Sequence, residues 1–150
     1  MLNKGRTSPP GSVLIIEDDN TLREVLIELL SLSNVSCFGT YSGGEGIELF
    51  VGHQRDIDLV VMDMGLQDKN GAEIVQTLQA IRPDVEIIII SGRDKKGLEQ
   101  LFAAYPYVSV MQKPFNTFRF LDTVNNRLDY LSCIKSGITK NNNERPTLLS

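Results

Sequence analysis

The chain is short of the residues that many functions require. It has no tryptophan, a single histidine and two cysteines among 150 residues. Zinc takes several nitrogen or sulfur ligands, so His53 on its own argues against a zinc centre. Cys37 and Cys133 stand far apart and form no CxxC pair, which fits reduced thiols in a cytosolic protein better than a disulfide. Basic charge is also scarce: 15 Lys and Arg against 19 Asp and Glu leave a net charge of −4, the wrong sign for a surface that neutralises nucleic-acid phosphates. Apolar runs are too short to cross a bilayer. The opening MLNKGRTSPPGS carries no apolar stretch after its basic residues, so it does not read as a signal peptide. The expectation is a cytoplasmic protein that binds neither membrane nor nucleic acid directly.

What is present is a repeated alternation of two patterns. Residues 1–11 are polar and rich in Pro and Gly, and predict a flexible leader. A continuous apolar run at 13–16 predicts a strand buried on both faces, an apolar run at 59–63 that stops on an acid predicts another, the β-branched run 85–91 a third, and the more mixed stretches 35–41 and 107–112 predict two more. Between them lie helical patterns. Leu22, Val25, Leu26, Leu29 and Leu30 repeat at helical spacing behind a capping Asp19 or Asn20. Residues 42–50, 72–81, 95–105 and 117–131 predict the remaining helices. The polar stretch 132–150 predicts a disordered tail. Five strands alternating with five helices predict an α/β fold with a parallel sheet covered on both faces. In such sheets the ligand site lies outside the carboxyl ends of the strands.

Those strand ends carry the chemistry. The first runs into Glu17, Asp18 and Asp19, the third stops on Asp63, the fourth on Ser91, and the fifth leads to Lys113 and Pro114. Each alone has a bland explanation, since a lone acid at a strand end is commonly a helix cap and a lone lysine a surface residue. Together they describe one crevice with acids, a hydroxyl and a cation. Clustered carboxylates raise each other's pKa values and are costly unless a cation sits among them. Their oxygens suit Mg²⁺, which binds through one or two carboxylates and retains water. An aspartate can act as a nucleophile and form an acyl phosphate, and a fixed lysine adds positive charge where it is needed.

The ordered motifs IIEDD, MDMGLQDKNG, IIIISGR and MQKPF resemble the receiver domain of two-component response regulators, over residues 12–131. The resemblance implies a flavodoxin-like, doubly wound five-stranded sheet of order 2-1-3-4-5 flanked by five helices. It implies that Asp63 is the phosphoacceptor, served by Ser91 and Lys113, with Pro114 following the lysine through a cis bond. It implies Mg²⁺ held by Glu17, Asp18, Asp63 and the backbone carbonyl of Gly65, with Glu17 acting through water. Asp18 with Asp19 is an alternative register. Glu17 with Asp18 is preferred because the xxLR that follows in the family then falls on Leu22 and Arg23. Gly71 would occupy the tight turn into the third helix. Gly65 and Arg93 would flank the path of a water attacking the phosphoryl group.

This chain departs from the family mildly at Glu17 and more strongly at two places: Gln67 stands where Pro is usual, and Val110 where Tyr or Phe is usual. The partners implied are a histidine kinase or phosphotransfer protein, a downstream protein target or effector domain, and a second copy of the chain in a homodimer. The rival reading is a degenerate receiver that binds proteins without phosphorylation. Other aspartyl or phosphate-binding classes lack their signatures: Gly65 breaks the DxD of the haloacid-dehalogenase-like phosphatases, SGRDKKG lacks the GK[ST] ending of a P-loop, and no GxGxxG follows the first strand. Too few residues follow 131 for a helix-turn-helix effector, so the sequence reads as a stand-alone receiver or as a piece of a larger regulator or hybrid kinase.

Overall fold

The computed structural model describes residues 11–135. The expected leader, apart from Gly11, and the expected tail beyond 135 lie outside the described residues. The elements in chain order are β1 (Ser12–Ile16), α1 (Asn20–Leu32), β2 (Ser36–Thr40), α2 (Gly43–His53), β3 (Ile57–Asp63), α3 (Gly71–Ile81), β4 (Glu86–Ser91), α4 (Lys95–Leu101), β5 (Val108–Gln112) and α5 (Thr117–Lys135). The strands form one five-stranded sheet of order β2-β1-β3-β4-β5, with every neighbouring pair parallel.

Alternation along the buried strands sorts the core into two halves. Leu14, Ile16, Val60, Met62, Ile87 and Ile89 face one way and pack with Phe50 of α2, Ile74 and Leu78 of α3 and Leu98 of α4. Val13, Ile15, Leu59, Val61, Ile88 and Ile90 face the other way and pack with Leu26 and Leu30 of α1 and Phe120, Val124 and Leu128 of α5. The central strands are therefore mostly apolar along their length, because both of their faces are covered.

Several boundaries differ from the sequence expectation, each for a local reason. Strand β3 begins at Ile57, because Arg82, the C-cap of α3, donates to the carbonyls of Ile57 and Gln54 and holds the chain there. Helix α2 continues past Phe50 to His53, whose ring stacks on Phe38 of β2 at 4.7 Å. Helix α4 stops at Leu101 and not at 105: Phe102 closes it, Tyr105 N–H turns back to the Phe102 carbonyl at 2.9 Å, and Pro106 disfavours a helical Tyr105. Helix α5 runs to Lys135, past the expected end at 131, and Lys135 pairs there with Asp58 of β3. Gly71 is the first residue of α3 behind its N-cap Asn70, at the entry to the third helix; a Cβ there would meet Met64 Sδ at 2.6 Å, so the methionine side chain would have to move. Neither cysteine is in a disulfide. Among the described residues, no helix is long and apolar enough to cross a membrane.

From β1 the chain winds outward to β2 and then returns to β3 on the other side. That reversal is the topological switch point, where strand ends open a crevice. The register brings the right residues to it. Ile16 is level with Met62, so the next residues along, Glu17 and Asp63, are neighbours. Asp63 is level with Ile90, one before Ser91, and Ser91 is level with Gln112, one before Lys113.

Candidate phosphoacceptor site

The first acids divide their work. Asp19 is the N-cap of α1: its carboxylate accepts from Leu22 N–H at 3.1 Å, and the side chain is exposed. Glu17 is buried, and Asp18 is half-buried beside it. Of the two registers left open by the sequence, the geometry brings Glu17 and Asp18 together with Asp63; one carboxylate oxygen of each lies within 4.8 Å of the others. Asp19 is spent on the helix. The Glu17 backbone is fixed from two sides. Its N–H donates to Thr40 O at 3.0 Å, and its carbonyl accepts from Arg23 Nη1 at 2.7 Å.

Lys113 reaches across the crevice. Its Nζ is 3.3 Å from Glu17 Oε1 and 3.6 Å from Asp63 Oδ2. The backbone behind it is held by Lys113 N–H to Ser91 O at 2.7 Å, and the Lys113–Pro114 bond is cis. Asp63 Oδ1 accepts from Gly65 N–H at 3.1 Å, so the carboxylate has one oxygen tied to the loop and the other facing the lysine. The Gly65 Cα is bare toward Asp63, since a Cβ there would lie 3.7 Å from Oδ1. The Ser91 hydroxyl is buried and accepts from Arg93 N–H at 3.0 Å. The Arg93 residue itself is exposed.

The electrostatics are those of an acid cluster short of positive charge. Burial, above all, together with the adjacent Asp63 carboxylate pushes Glu17 up to about 7, against the pull of the Asp19 N–H and Lys113. One lysine therefore does not neutralise the cluster. Its donor set is all oxygen, which fits a hard divalent cation that keeps part of its water shell. The residues present suit Mg²⁺ on that ground.

Two contacts had no place in the sequence reading. Asp68, in the loop between β3 and α3, accepts from the N–H groups of Gly43 and Gly44 at 2.9 Å each. These bonds hold its carboxyl below the usual aspartate range. A glycine pair opening a helix opposite an acid-bearing loop was the available signal. The second is the Arg23 clasp on the Glu17 carbonyl. At the departures from the family pattern, Gln67 is exposed and its loop is pinned one residue later by Asp68. Val110 is buried in the core half that also holds Leu98 and Phe102.

Comparison with known proteins agrees with this geometry. Residues 13–125 match the family described as the response regulator receiver domain. The chain is 35% identical over 109 residues to the cell cycle response regulator CtrA of Brucella ovis, and equally to that of Brucella abortus; these matches cover 69% of this chain and 44% of each relative. The chain thus spans less than half the length of the curated relatives it matches. Among solved structures, a response regulator receiver domain protein from Clostridium thermocellum superposes with a TM-score of 0.76 at 22% identity, covering 83% of this chain and 98% of that one. A CheY-like receiver domain protein from Methanospirillum hungatei gives 0.73 at 20% identity, covering 81% and 96%. These likenesses speak for the fold, and the family match over most of the described residues speaks for descent. With the acids, hydroxyl and lysine gathered at the switch point of that fold, the chain belongs to the response regulator receiver family.

Proposed function

We propose that Asp63 accepts a phosphoryl group from the phosphohistidine of a histidine kinase or phosphotransfer protein, in a reaction that depends on Mg²⁺. The observation that carries this reading is Lys113 Nζ standing between Asp63 and Glu17 inside a cluster of three carboxylates. Asp63 Oδ attacks phosphorus, the P–N bond to the donor histidine breaks, and the imidazole leaves with the bonding pair. The product on this chain is an acyl phosphate.

Each residue has a share in that step. The Gly65 N–H holds Oδ1 and so fixes the rotation of the carboxylate, which keeps Oδ2 toward the crevice. Lys113 lowers the cost of bringing an anionic phosphoryl group to an anionic nucleophile. The Ser91 hydroxyl is placed to donate to a phosphoryl oxygen once it turns from its present partner. Glu17, Asp18, Asp63 and the Gly65 carbonyl would hold Mg²⁺. When bound, the ion supplies positive charge that screens nucleophile and phosphoryl oxygens from each other. Buried Glu17 and fixed Lys113 give the crevice two groups with no other evident use, which favours a working site over a degenerate one.

In the cell the phosphoryl group would act as a switch for a downstream protein target or effector domain, or for self-association, in the cytoplasm. Intact-mass spectrometry after treatment with acetyl phosphate and Mg²⁺ tests the reading. One added phosphate is expected on the native chain and none on Asp63→Asn; equal labelling of both refutes the assignment.

A further inference from the structure

We infer that Asp68 is a positioning residue for phosphoryl transfer, holding the loop that carries Gly65 against Asp63 by clamping it to the start of α2. The inference deepens the reading of Asp63 as phosphoacceptor and rests on it. The loop of residues 64–70 leaves β3 at Asp63 and enters α3 behind the N-cap Asn70. Between those ends, Asp68 fixes it to a different element. Both carboxylate oxygens are engaged, Oδ1 by Gly43 N–H and Oδ2 by Gly44 N–H, each at 2.9 Å. These are the first two residues of α2, whose amide groups have no partner within the helix. The next donor, Glu45 N–H, is served separately by the N-cap Ser42. The helix end is thus shared: its own cap takes one donor, and the phosphoacceptor loop takes two.

The fit of loop to helix is close. A Cβ at Gly43 would meet Ile74 Cδ1 at 2.7 Å and Lys69 Cβ at 3.3 Å, so a larger residue would push the loop outward. The consequence reaches the site through Gly65. Its N–H sets the orientation of the Asp63 carboxylate, and its position depends on where the loop runs. Gln67 gives this loop no rigid proline, so the clamp one residue later supplies the restraint. Helix α2 is anchored to the sheet by fully buried Phe50, which makes it a fixed reference for the loop.

The test compares three variants of the full chain: Asp68→Ala, Asp68→Asn and Ser42→Ala. Ser42→Ala removes a cap from the same helix end without touching the loop, and serves as the control for lost helix stability. Exchange of the Gly65 amide with water, read by NMR, reports loop position, and acetyl phosphate labelling with Mg²⁺ reports transfer. Asp68→Ala is expected to speed Gly65 exchange, and to slow labelling by about tenfold or more, since a small misplacement of reacting groups costs that much. Asp68→Asn keeps an acceptor oxygen and should recover most of both. Ser42→Ala should leave both near the native values. The inference is overturned if Gly65 exchange or labelling in Asp68→Ala stays native, or if Ser42→Ala changes both readouts as strongly. Absence of label on the native chain would strike the phosphoacceptor reading instead, and Gly65 exchange would still decide the role of Asp68.

Discussion

Replacing Asp18 with Asn should make the protein more stable without Mg²⁺ and less stable with it. The reason is the geometry of the cluster. The Asp18 carboxylate has an oxygen within 4.8 Å of both Glu17 and Asp63. A pair of like unit charges at that separation repels by about 0.9 kcal/mol in bulk water and by about 3.5 kcal/mol at an effective dielectric of 20. Asp18 is half-buried, so its two repulsions fall between those limits. Lys113 offsets part of the cluster charge, but its close contacts are to Glu17 and Asp63. Asp18→Asn should therefore raise the unfolding free energy in EDTA by roughly 1–3 kcal/mol at low ionic strength.

Buffering at pH 8 keeps Glu17, pushed up to about 7, in its charged form. A metal that binds only the folded chain at a thousand times its dissociation constant adds about 4.1 kcal/mol to the native protein, and far less to a variant missing a ligand. The two urea midpoints should cross as Mg²⁺ is added. If Asn at this position lowers stability in EDTA, or if the Mg²⁺-dependent gain survives the substitution, the assignment of Asp18 to the charged cluster is wrong.

Three further outcomes are expected. Arg82→Ala should cost roughly 2–3 kcal/mol in urea unfolding, because the guanidinium donates to the carbonyls of Gln54 and Ile57 and lies 5.1 Å from the centre of the Phe50 ring; labelling of Asp63 in native buffer should be unchanged, and a stability loss below about 0.5 kcal/mol would remove the clasp from the account. Asp68, whose folded carboxyl lies below the usual range, contributes stability above its unfolded pKa that is lost as pH falls through the folded value, so the stability gap between the native chain and Asp68→Asn should close on acidification below about pH 4; a gap constant from pH 7 to pH 3 would count against it. Amide exchange with beryllofluoride as phosphate mimic should change protection over residues 92–100, and little at Val110, which has no ring to move when Ser91 turns; protection changes centred on Val110 would contradict this.

How much of this was legible in advance depends on the range of the interaction concerned. The strand runs at 13–16, 59–63 and 85–91 stand out, because a strand buried on both faces is built mostly of apolar, β-branched residues and its composition announces it; Glu86 is the buried exception inside the third run. The identities of Glu17, Asp18, Asp63, Ser91 and Lys113 were legible for a related reason: each sits where an apolar run stops, and a parallel sheet delivers all such stops to one end. The sequence by itself therefore determined the fold class and the contents of the crevice.

Tertiary structure decided the division of labour within it, for which the sequence had given only a preference. Asp18 and Asp19 are the same residue type in adjacent positions, and only the direction each faces makes one a member of the cluster and the other a cap on α1. The end of α4 at Leu101 came from a backbone turn at Phe102 that no helical periodicity records. The extension of α5 brings Lys135 to an ion pair with Asp58, a partner far away in sequence. Gly71 was marked as special by its type, but the sulfur of Met64 in the space of its missing Cβ belongs to packing. Asp68 bonding to Gly43 and Gly44 spans a separation that local pattern cannot see. Periodicity reports what each segment buries; which partners meet across the fold is fixed only when strand order and register bring distant residues together.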